Sequence, residues 1–302
     1  TSALTANTTG ASNTAVGYTA LTANTTGAAL TAVGHNTLGG NTTGYSNVAV
    51  GGGAPYLAAA MQSNTTGYGN TALGSGAMGS NTTAASSTAV GRSAMYANST
   101  GGNHVAVGNH ALKENTTGNT NTAVGVTALG LNTTGSNNSA LGYIAGDLIT
   151  TGSNNTCLGY QADPTGATVS NEFTLGNSSV SALRCADTSI AALSDRRDKK
   201  DIIDSSYGLE FINKIRPVQF TWDRRNLVEG DLESIHNGKT RIGFISQELQ
   251  EAMEDDSNEI LDLVYEENPE RLEAKQGKLI PILTKAIQEL SAKVEELETK
   301  LN

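Results

Sequence analysis

One repeated stretch dominates the first two thirds of the chain, and a full copy of it reads Asn13-Thr14-Ala15-Val16-Gly17-Tyr18-Thr19-Ala20-Leu21-Thr22-Ala23-Asn24-Thr25-Thr26-Gly27. An aliphatic residue directly before a glycine returns at Val16, Val33, Val50, Leu73, Val90, Val107, Val124, Leu141, Leu158 and Leu175. Of the nine intervals between these ten residues, eight are 17 residues long and one is 23. Self-similarity at a fixed period is the signature of a repeat architecture.

The composition of the repeat favours short strands joined by turns. Gly17 and Gly27 can take a positive φ without steric cost, and Asn24, Thr25 and Thr26 can bond neighbouring backbone groups in a turn. A helix is disfavoured because the unit is rich in Gly, Thr and Asn and has no apolar stripe of period 3.6. We therefore predict a β-solenoid with one coil per repeat.

A single coil of this kind is too small to be stable alone. Its valine, leucine and two alanines contribute ~5 kcal/mol if all are buried, whereas ordering the backbone opposes folding by ~1–2 kcal/mol for each residue. Stacking of coils and lateral association must supply the difference. Because a coil so rich in alanine should have little interior of its own, we expect three chains to share a core around one axis, as a homotrimer.

The repeat resembles the heads of trimeric autotransporter adhesins. The matching residues are Val48-Ala49-Val50-Gly51 and Val105-Ala106-Val107-Gly108, and the resemblance implies a trimeric parallel β-roll. Since the period here is longer than in those heads, the resemblance extends to architecture only.

Three details of the repeat have two interpretations each. Asn-Thr-Thr steps such as Asn7-Thr8-Thr9 match the glycosylation sequon, but their fixed place in every coil favours a turn role. Cys157 stands where other repeats have alanine, which favours a buried thiol over a bridge between subunits. The 23-residue interval contains an insertion in residues 52–61, where Pro55 and Tyr56 form a candidate loop for a host-surface receptor such as a glycan, or a neutral decoration.

Charge and hydropathy exclude several functions. Residues 1–193 hold three basic and five acidic side chains, while the whole chain has a net charge of -10. Because neither part is basic, we expect no binding to nucleic acid and none to an anionic membrane. No apolar run approaches the roughly 18 residues of a membrane span, so we expect no membrane insertion. The four histidines lack metal-ligand spacing, and we predict neither a metal nor a cofactor.

The chain changes character at Leu193-Ser194, where a dense, charged sequence begins. Residues 216–222 alternate like a strand, and residues 241–253 indicate a strand followed by a helix. Further on, a heptad of apolar residues predicts a coiled coil, with an amphipathic helix packed on a core as the alternative. Its residues are Ile280, Leu283, Ile287, Leu290, Val294, Leu297 and Leu301. The β-branched first positions favour two strands, but a fibre requires three, and we predict a trimer.

The charged part resembles the C-terminal intramolecular chaperone of phage tail fibres, tailspikes and endosialidases. The matching residues are Ser194-Asp195, Arg197, Lys199, Ile202, Ile215-Arg216-Pro217-Val218, Gly243-Phe244-Ile245-Ser246-Gln247-Glu248, Leu279-Ile280-Pro281 and Ala286-Ile287-Gln288-Glu289-Leu290. The resemblance implies a domain that trimerises the fibre and then releases itself. By position, Ser194 is the nucleophile, Lys199 is the base, the bond between Leu193 and Ser194 is cut, and Asp195 and Arg197 orient the site.

This chemistry is reasonable for the two residue types. A serine hydroxyl is a weak nucleophile that needs a base within hydrogen-bond reach. A lysine has an ordinary pKa of ~10.4, so bringing it near 7 takes about 4 kcal/mol, which burial can supply. Trimerisation should therefore gate the cut. Ser194 follows the scissile carbonyl directly, which suits an N-to-O acyl shift within one chain, and attack from a neighbouring chain is the alternative.

These observations predict four segments and one principal function. The segments are a β-solenoid shaft in residues 1–165, the last coil and neck in 166–193, a self-cleaving chaperone in 194–277 and a trimeric coiled coil in 278–302. The function is a homotrimeric viral tail fibre or spike located in the virion, which acts as a peptidase once, on itself, with no external substrate. The alternative is an extracellular adhesin of a bacterial surface that retains its trimerisation domain uncut.

Overall fold

A computed structural model describes residues 3–53, 57–180, 182–184, 194–221, 240–253, 258–266, 269 and 272–301. The chain divides into two compact units, Thr1–Asn177 and Ser178–Asn302. Each unit is described by itself below.

The first unit is a parallel β-solenoid in which every strand pairs with the next one along the chain. Each coil contributes one strand of three residues. The strands are β1 (Thr14–Val16), β2 (Thr31–Val33), β3 (Val48–Val50), β4 (Thr71–Leu73), β5 (Thr88–Val90), β6 (Val105–Val107), β7 (Thr122–Val124), β8 (Ser139–Leu141), β9 (Thr156–Leu158) and β10 (Phe173–Leu175). The β-solenoid predicted from the 17-residue period is therefore confirmed.

The strand residue that points into the solenoid is the alanine in the middle, not the valine before the glycine. Ala32 pairs with Ala15 and Ala49 across the sheet, and both Ala32 and Ala49 are fully buried. Val16, in contrast, is 58% exposed. The valine therefore stays outside the interior of its own coil, because side chains alternate across a strand and a three-residue strand turns its two ends outward.

The solenoid has a core inside one chain. One Leu, Met or Ile per coil fills it opposite the strand alanines, and these residues are Leu21, Leu38, Met61, Met78, Met95, Leu112, Leu129 and Ile149. The expectation that a coil has little interior of its own is therefore wrong. Alanine lets the walls approach so closely that a single large side chain per coil fills the space between them. Cys157 is buried in the alanine column, which places this thiol out of reach of another subunit.

A ladder of asparagine side chains runs along the solenoid, and we call it the asparagine ladder. It consists of Asn7, Asn24, Asn41, Asn64, Asn81, Asn98, Asn115 and Asn132. In each coil the amide nitrogen donates to the amide oxygen of the preceding asparagine and to a carbonyl three residues ahead, as at Asn24, where these distances are 2.8 and 3.0 Å. Asn24 is fully buried, so the sequon asparagines of the ladder serve as turn residues, as predicted.

The ladder is weakest at the coil where alanine replaces the turn glycine. Asn81 donates to the carbonyl of Ala84 over 3.4 Å, and Asn98 donates to Asn81 over 3.5 Å. Asn115, in comparison, donates to Asn98 over 2.7 Å. The extra methyl group of Ala84 therefore coincides with a longer hydrogen bond between the coil of Asn81 and the coil of Asn98.

The six-residue insertion leaves the sheet register undisturbed. Strands β3 and β4 still pair Ala49 with Ala72 and Val50 with Leu73. The inserted segment is closed at its neck, where the backbone N–H of Ala60 donates to the carbonyl of Gly51 at 2.9 Å. Pro55 and Tyr56 lie outside the described residues, and the receptor loop stays a prediction.

The second unit has the α+β composition that the sequence predicted. Its described elements are α1 (Leu209–Lys214), β11 (Val218–Thr221), β12 (Thr240–Gly243), α2 (Ser246–Ala252), α3 (Asn258–Leu261), β13 (Val264–Tyr265), β14 (Glu273–Ala274) and α4 (Leu279–Leu301). The pairs β11–β12 and β13–β14 are antiparallel. A small core joins α1, α2, α3, β13 and α4, and it consists of Phe211, Leu249, Met253, Leu261, Leu263, Val264, Leu279 and Ile282.

Candidate functional site

Residues 194–200 form a tight turn around one short 3-10 helix, Arg196–Asp198. Asp195 caps this helix: its carboxylate accepts a hydrogen bond from the backbone N–H of Arg197 at 2.9 Å. The backbone N–H of Lys199 then closes the turn by donating to the carbonyl of Arg196 at 3.2 Å. An aspartate before a helical turn is a preferred cap, because its oxygen satisfies an N–H that has no partner within the turn.

The turn brings the two residues proposed for catalysis together. The ammonium nitrogen of Lys199 (Nζ) donates a hydrogen bond of 2.7 Å to the hydroxyl oxygen of Ser194 (Oγ). A base must lie within about 2.6–3.2 Å of the nucleophile that it activates. The separation of five residues in the sequence thus becomes a serine–lysine pair at reacting distance.

Asp195 and Arg197 form an ion pair within the same turn. The guanidinium nitrogens of Arg197 approach both carboxylate oxygens of Asp195, at 2.6 Å for Nη2 to Oδ2 and 3.1 Å for Nε to Oδ1. The hydrogen bonds from Arg197 lower the pKa of Asp195, and the same contact raises the pKa of Arg197. The ion pair therefore bridges the turn that connects Ser194 to Lys199.

The serine–lysine pair is open to solvent within the single chain. Ser194 and Lys199 are both exposed, and Leu193, which carries the other half of the bond predicted to be cut, lies outside the described residues. A lysine that acts as a base requires burial. The single chain supplies the geometry of the pair but not this desolvation.

Helix α4 has two different apolar faces. Leu279, Ile282 and Ala286 are buried on its own unit. The heptad residues occupy a neighbouring face, which we call the heptad line, and they are 43% to 86% exposed. The heptad line consists of Ile280, Leu283, Ile287, Leu290, Val294, Leu297 and Leu301. The helix is as predicted, and its heptad line has no partner within the described part of this chain.

A carboxylate from α4 fixes α1, a contact that sequence reasoning missed. Glu289 accepts a hydrogen bond of 2.8 Å from the backbone N–H of Leu209, the first residue of α1. Gly208, at the N-cap of α1, supplies no side chain for this purpose. A negative charge at a helix N-terminus is also favoured by the helix dipole. The acceptor is 80 residues away in the sequence, so no local pattern signals it.

Other candidate sites are weaker. Four tyrosines of the shaft stack in two parallel pairs on neighbouring coils, Tyr45 on Tyr68 with centroids 4.8 Å apart and Tyr143 on Tyr160 with centroids 5.7 Å apart. Among the described residues, no group of three or more His, Cys, Asp or Glu side chains could hold a metal ion. Across those same ranges, none of the helices combines the length and the apolar character needed to cross a membrane.

Comparison with known proteins finds one similarity, and it covers part of the second unit. Neither the curated proteins nor the solved structures contain a match to this chain. A family model described as the chaperone of endosialidase matches residues 194–257. The match begins at Ser194, the first residue of the serine–lysine turn, and it contains the resembling motifs up to Glu248. The resembling motifs that begin at Leu279 and Ala286 lie beyond it.

Proposed function

We propose that this chain forms a homotrimeric tail fibre or spike of a virion, whose C-terminal chaperone drives trimerisation and then cuts itself off between Leu193 and Ser194. The observation that carries the proposal is the 2.7 Å hydrogen bond between Lys199 and Ser194. It lies at the first residue of the segment that matches the chaperone of endosialidase. The shaft would contact the host surface, with the 52–61 insertion as the candidate receptor loop.

The cut begins with proton transfer from the Ser194 hydroxyl to the neutral amine of Lys199. The hydroxyl oxygen attacks the carbonyl carbon of Leu193, and the C–N bond to Ser194 breaks as its nitrogen takes up a proton. The product is an ester between Leu193 and the Ser194 oxygen. Water hydrolyses this ester, which leaves a carboxylate on Leu193 and restores the hydroxyl of Ser194. Attack on the carbonyl of a neighbouring chain follows the same steps.

Assembly gates this reaction through burial. Both Ser194 and Lys199 are exposed in the single chain, whereas a lysine base needs a desolvated site. The heptad line of α4 supports association of chains, because a helix with its own buried face and a second, exposed apolar line is suited to a coiled coil. In our proposal, trimerisation covers the turn and starts the single turnover.

Denaturing electrophoresis of freshly purified and of incubated protein tests this proposal. Wild type is expected to yield pieces of 193 and 109 residues, because the chain has 302 residues. Ser194→Ala and Lys199→Ala should stay whole, while Lys200→Ala, an exposed neighbour, should cut like wild type. Wild-type chains that remain intact in a folded trimer after long incubation would contradict the peptidase assignment and favour the retained adhesin.

Asp195 and Arg197 are proposed as positioning residues. Asp195→Ala removes both the cap and the ion pair, so cutting should slow by about tenfold or more, since a misplaced base loses its alignment. Asp195→Asn retains an oxygen that can accept the bond from Arg197 and should recover much of the rate. The trimer, followed by sedimentation, should persist in both variants, because Asp195 does not belong to the heptad line of α4. Cutting by Asp195→Ala at the wild-type rate, or no recovery in Asp195→Asn, would contradict the positioning role.

A further inference from the structure

The outward ends of the shaft strands form a continuous apolar surface. The third residue of every strand from β1 to β10 is Val or Leu. We call this column the outer stripe, and it consists of Val16, Val33, Val50, Leu73, Val90, Val107, Val124, Leu141, Leu158 and Leu175. None of these side chains is buried, and six of them are 37% to 58% exposed. The first residue of each strand, also outward, is Thr, Val, Ser or Phe.

The size and chemistry of this surface are those of an interface. Ten strands spaced by ~4.8 Å give a stripe about 43 Å long. No charged residue occupies either outward position of β1–β10. Isolated apolar residues are common on protein surfaces, but a contiguous patch of several hundred Å² marks an interaction site.

The spacing of the stripe selects its partner. Strands stacked in register place one Val or Leu at each coil, so the apolar groups recur with the pitch of the solenoid. A partner that meets all ten must present apolar groups at the same pitch over the same length, and another copy of this chain does so. Rotation about an axis parallel to the solenoid brings the same coil of each copy to the same height, which is the requirement of cyclic symmetry.

We propose that the outer stripe is the subunit interface of the shaft, covered by the outer stripes of two further copies of this chain. The assignment rests on the proposed homotrimer and names the surface that its shaft uses. It places the apolar residues that a single coil cannot bury on the common axis, where three valines or leucines meet in each layer. The shaft thus has two kinds of core, one of Ala, Leu and Met inside each chain and one of Val and Leu between chains.

Cysteine cross-linking of the full chain tests this interface. Val107 lies mid-stripe, and Thr117 is an exposed residue of the following turn. In a background where Cys157 and Cys185 are replaced by Ala, Val107→Cys should form covalent dimers on mild oxidation or with a short bis-maleimide. The matched Thr117→Cys should remain uncrosslinked. Cross-links from Thr117→Cys alone, or from neither variant in protein that sediments as an oligomer, would overturn the assignment.

A charge variant separates this inference from the proposed function. Val107→Asp would place three carboxylates together on the axis. The shaft piece of residues 1–193 that remains after cutting should then sediment with one third of the trimer mass, whereas in Thr117→Asp it should stay trimeric. Self-cleavage depends on the second unit and is followed separately by electrophoresis. If wild type cuts but releases a monomeric shaft, the stripe assignment fails and the proposed function stands. If wild type does not cut, the proposed function fails, and the cross-linking result still decides on the stripe.

Discussion

At the scale of the residue, His104 is a pH-sensitive position in the shaft. It stands in a column where most other coils have asparagine, and its Nδ1 accepts a hydrogen bond of 3.1 Å from the backbone N–H of Asn121. Burial lowers the pKa of His104 from 6.5 to about 4. The folded shaft therefore holds this imidazole neutral.

Because the folded pKa of His104 lies below the unfolded one, acid should destabilise the shaft. The unfolded chain takes up the proton first, so this contribution is complete above pH 6.5 and is lost as the pH falls toward 4, by about 3 kcal/mol in all. Urea denaturation at pH 7, 5 and 4 measures the free energy of unfolding. His104→Asn, which restores the residue type of Asn121 and Asn138 at this position, should remove the difference. An identical pH dependence in wild type and His104→Asn would contradict the prediction.

The asparagine ladder should be sensitive to truncation in mid-shaft. Asn115 donates to Asn98 at 2.7 Å and accepts from Asn132 at 2.9 Å. Asn115→Ala leaves both neighbours with an unpaired buried group, and each such group destabilises by about 1–3 kcal/mol. We expect a loss of about 2–5 kcal/mol in urea denaturation. The exposed Thr117→Ala should stay within about 0.5 kcal/mol of wild type, and an equal loss in both variants would contradict a role for the ladder.

The glycines show what the sequence could and could not predict at this scale. Gly17 has a φ of +136°, as its residue type suggested. Gly27, however, lies outside the left-handed region, and glycine is favoured there because a Cβ would lie 2.3 Å from the carbonyl oxygen of Gly44. The left-handed region is occupied instead by buried residues such as Leu21, with a φ of 52°. Leucine rarely adopts this conformation alone, so packing against neighbouring coils, which a local pattern does not contain, determines it.

At the scale of the element, α4 should control the oligomeric state. Ile287→Asp places a charge in the middle of the heptad line, where three copies would bring like charges together. We expect monomers in sedimentation and no self-cleavage, because the turn around Ser194 stays exposed. Gln288→Asp adds the same charge at an exposed position beside the line and should remain trimeric. Efficient cutting by monomeric Ile287→Asp would show that assembly does not gate the reaction.

Elements with a strong period were predictable, and long-range contacts were not. The three- and four-residue spacing predicted the helix that begins at Leu279, and the five-residue spacing of Ser194 and Lys199 marked the pair that the 3-10 turn brings together. Which face of a strand is buried could not be predicted from the repeat. Alanine and valine alternate along each strand, and either side chain could face the core. The choice depends on the Leu and Met residues of the opposite wall, whose position the strand sequence does not reveal. The hydrogen bond from the first residue of α1 to Glu289 of α4 is another contact that could not be predicted, because its two residues lie 80 positions apart in the sequence.

At the scale of the whole molecule, the shaft should depend on the second unit to assemble in register. Its coils are so alike that chains displaced by one coil lose only terminal contacts, and repeated patterns specify register weakly. We expect a chain of residues 1–193 to give misregistered or aggregated material, whereas a shaft matured by cleavage should stay trimeric. Refolding of denatured 1–193 is the measurement. Quantitative recovery of native trimers would show that the second unit has no role in assembly.

The stacking of coils also has a mechanical consequence. Backbone bonds such as the one from Thr25 to Thr42, at 2.9 Å, run along the length of the solenoid. When tension pulls along this direction, the bonds between two coils share the load, and successive coil boundaries carry it in series. The tensile strength of a shaft is then that of its weakest boundary, and the long hydrogen bond from Asn98 to Asn81 marks that place. Stretched from its ends, the shaft should yield there first, and each 17-residue coil that gives way should lengthen it by about 55 Å.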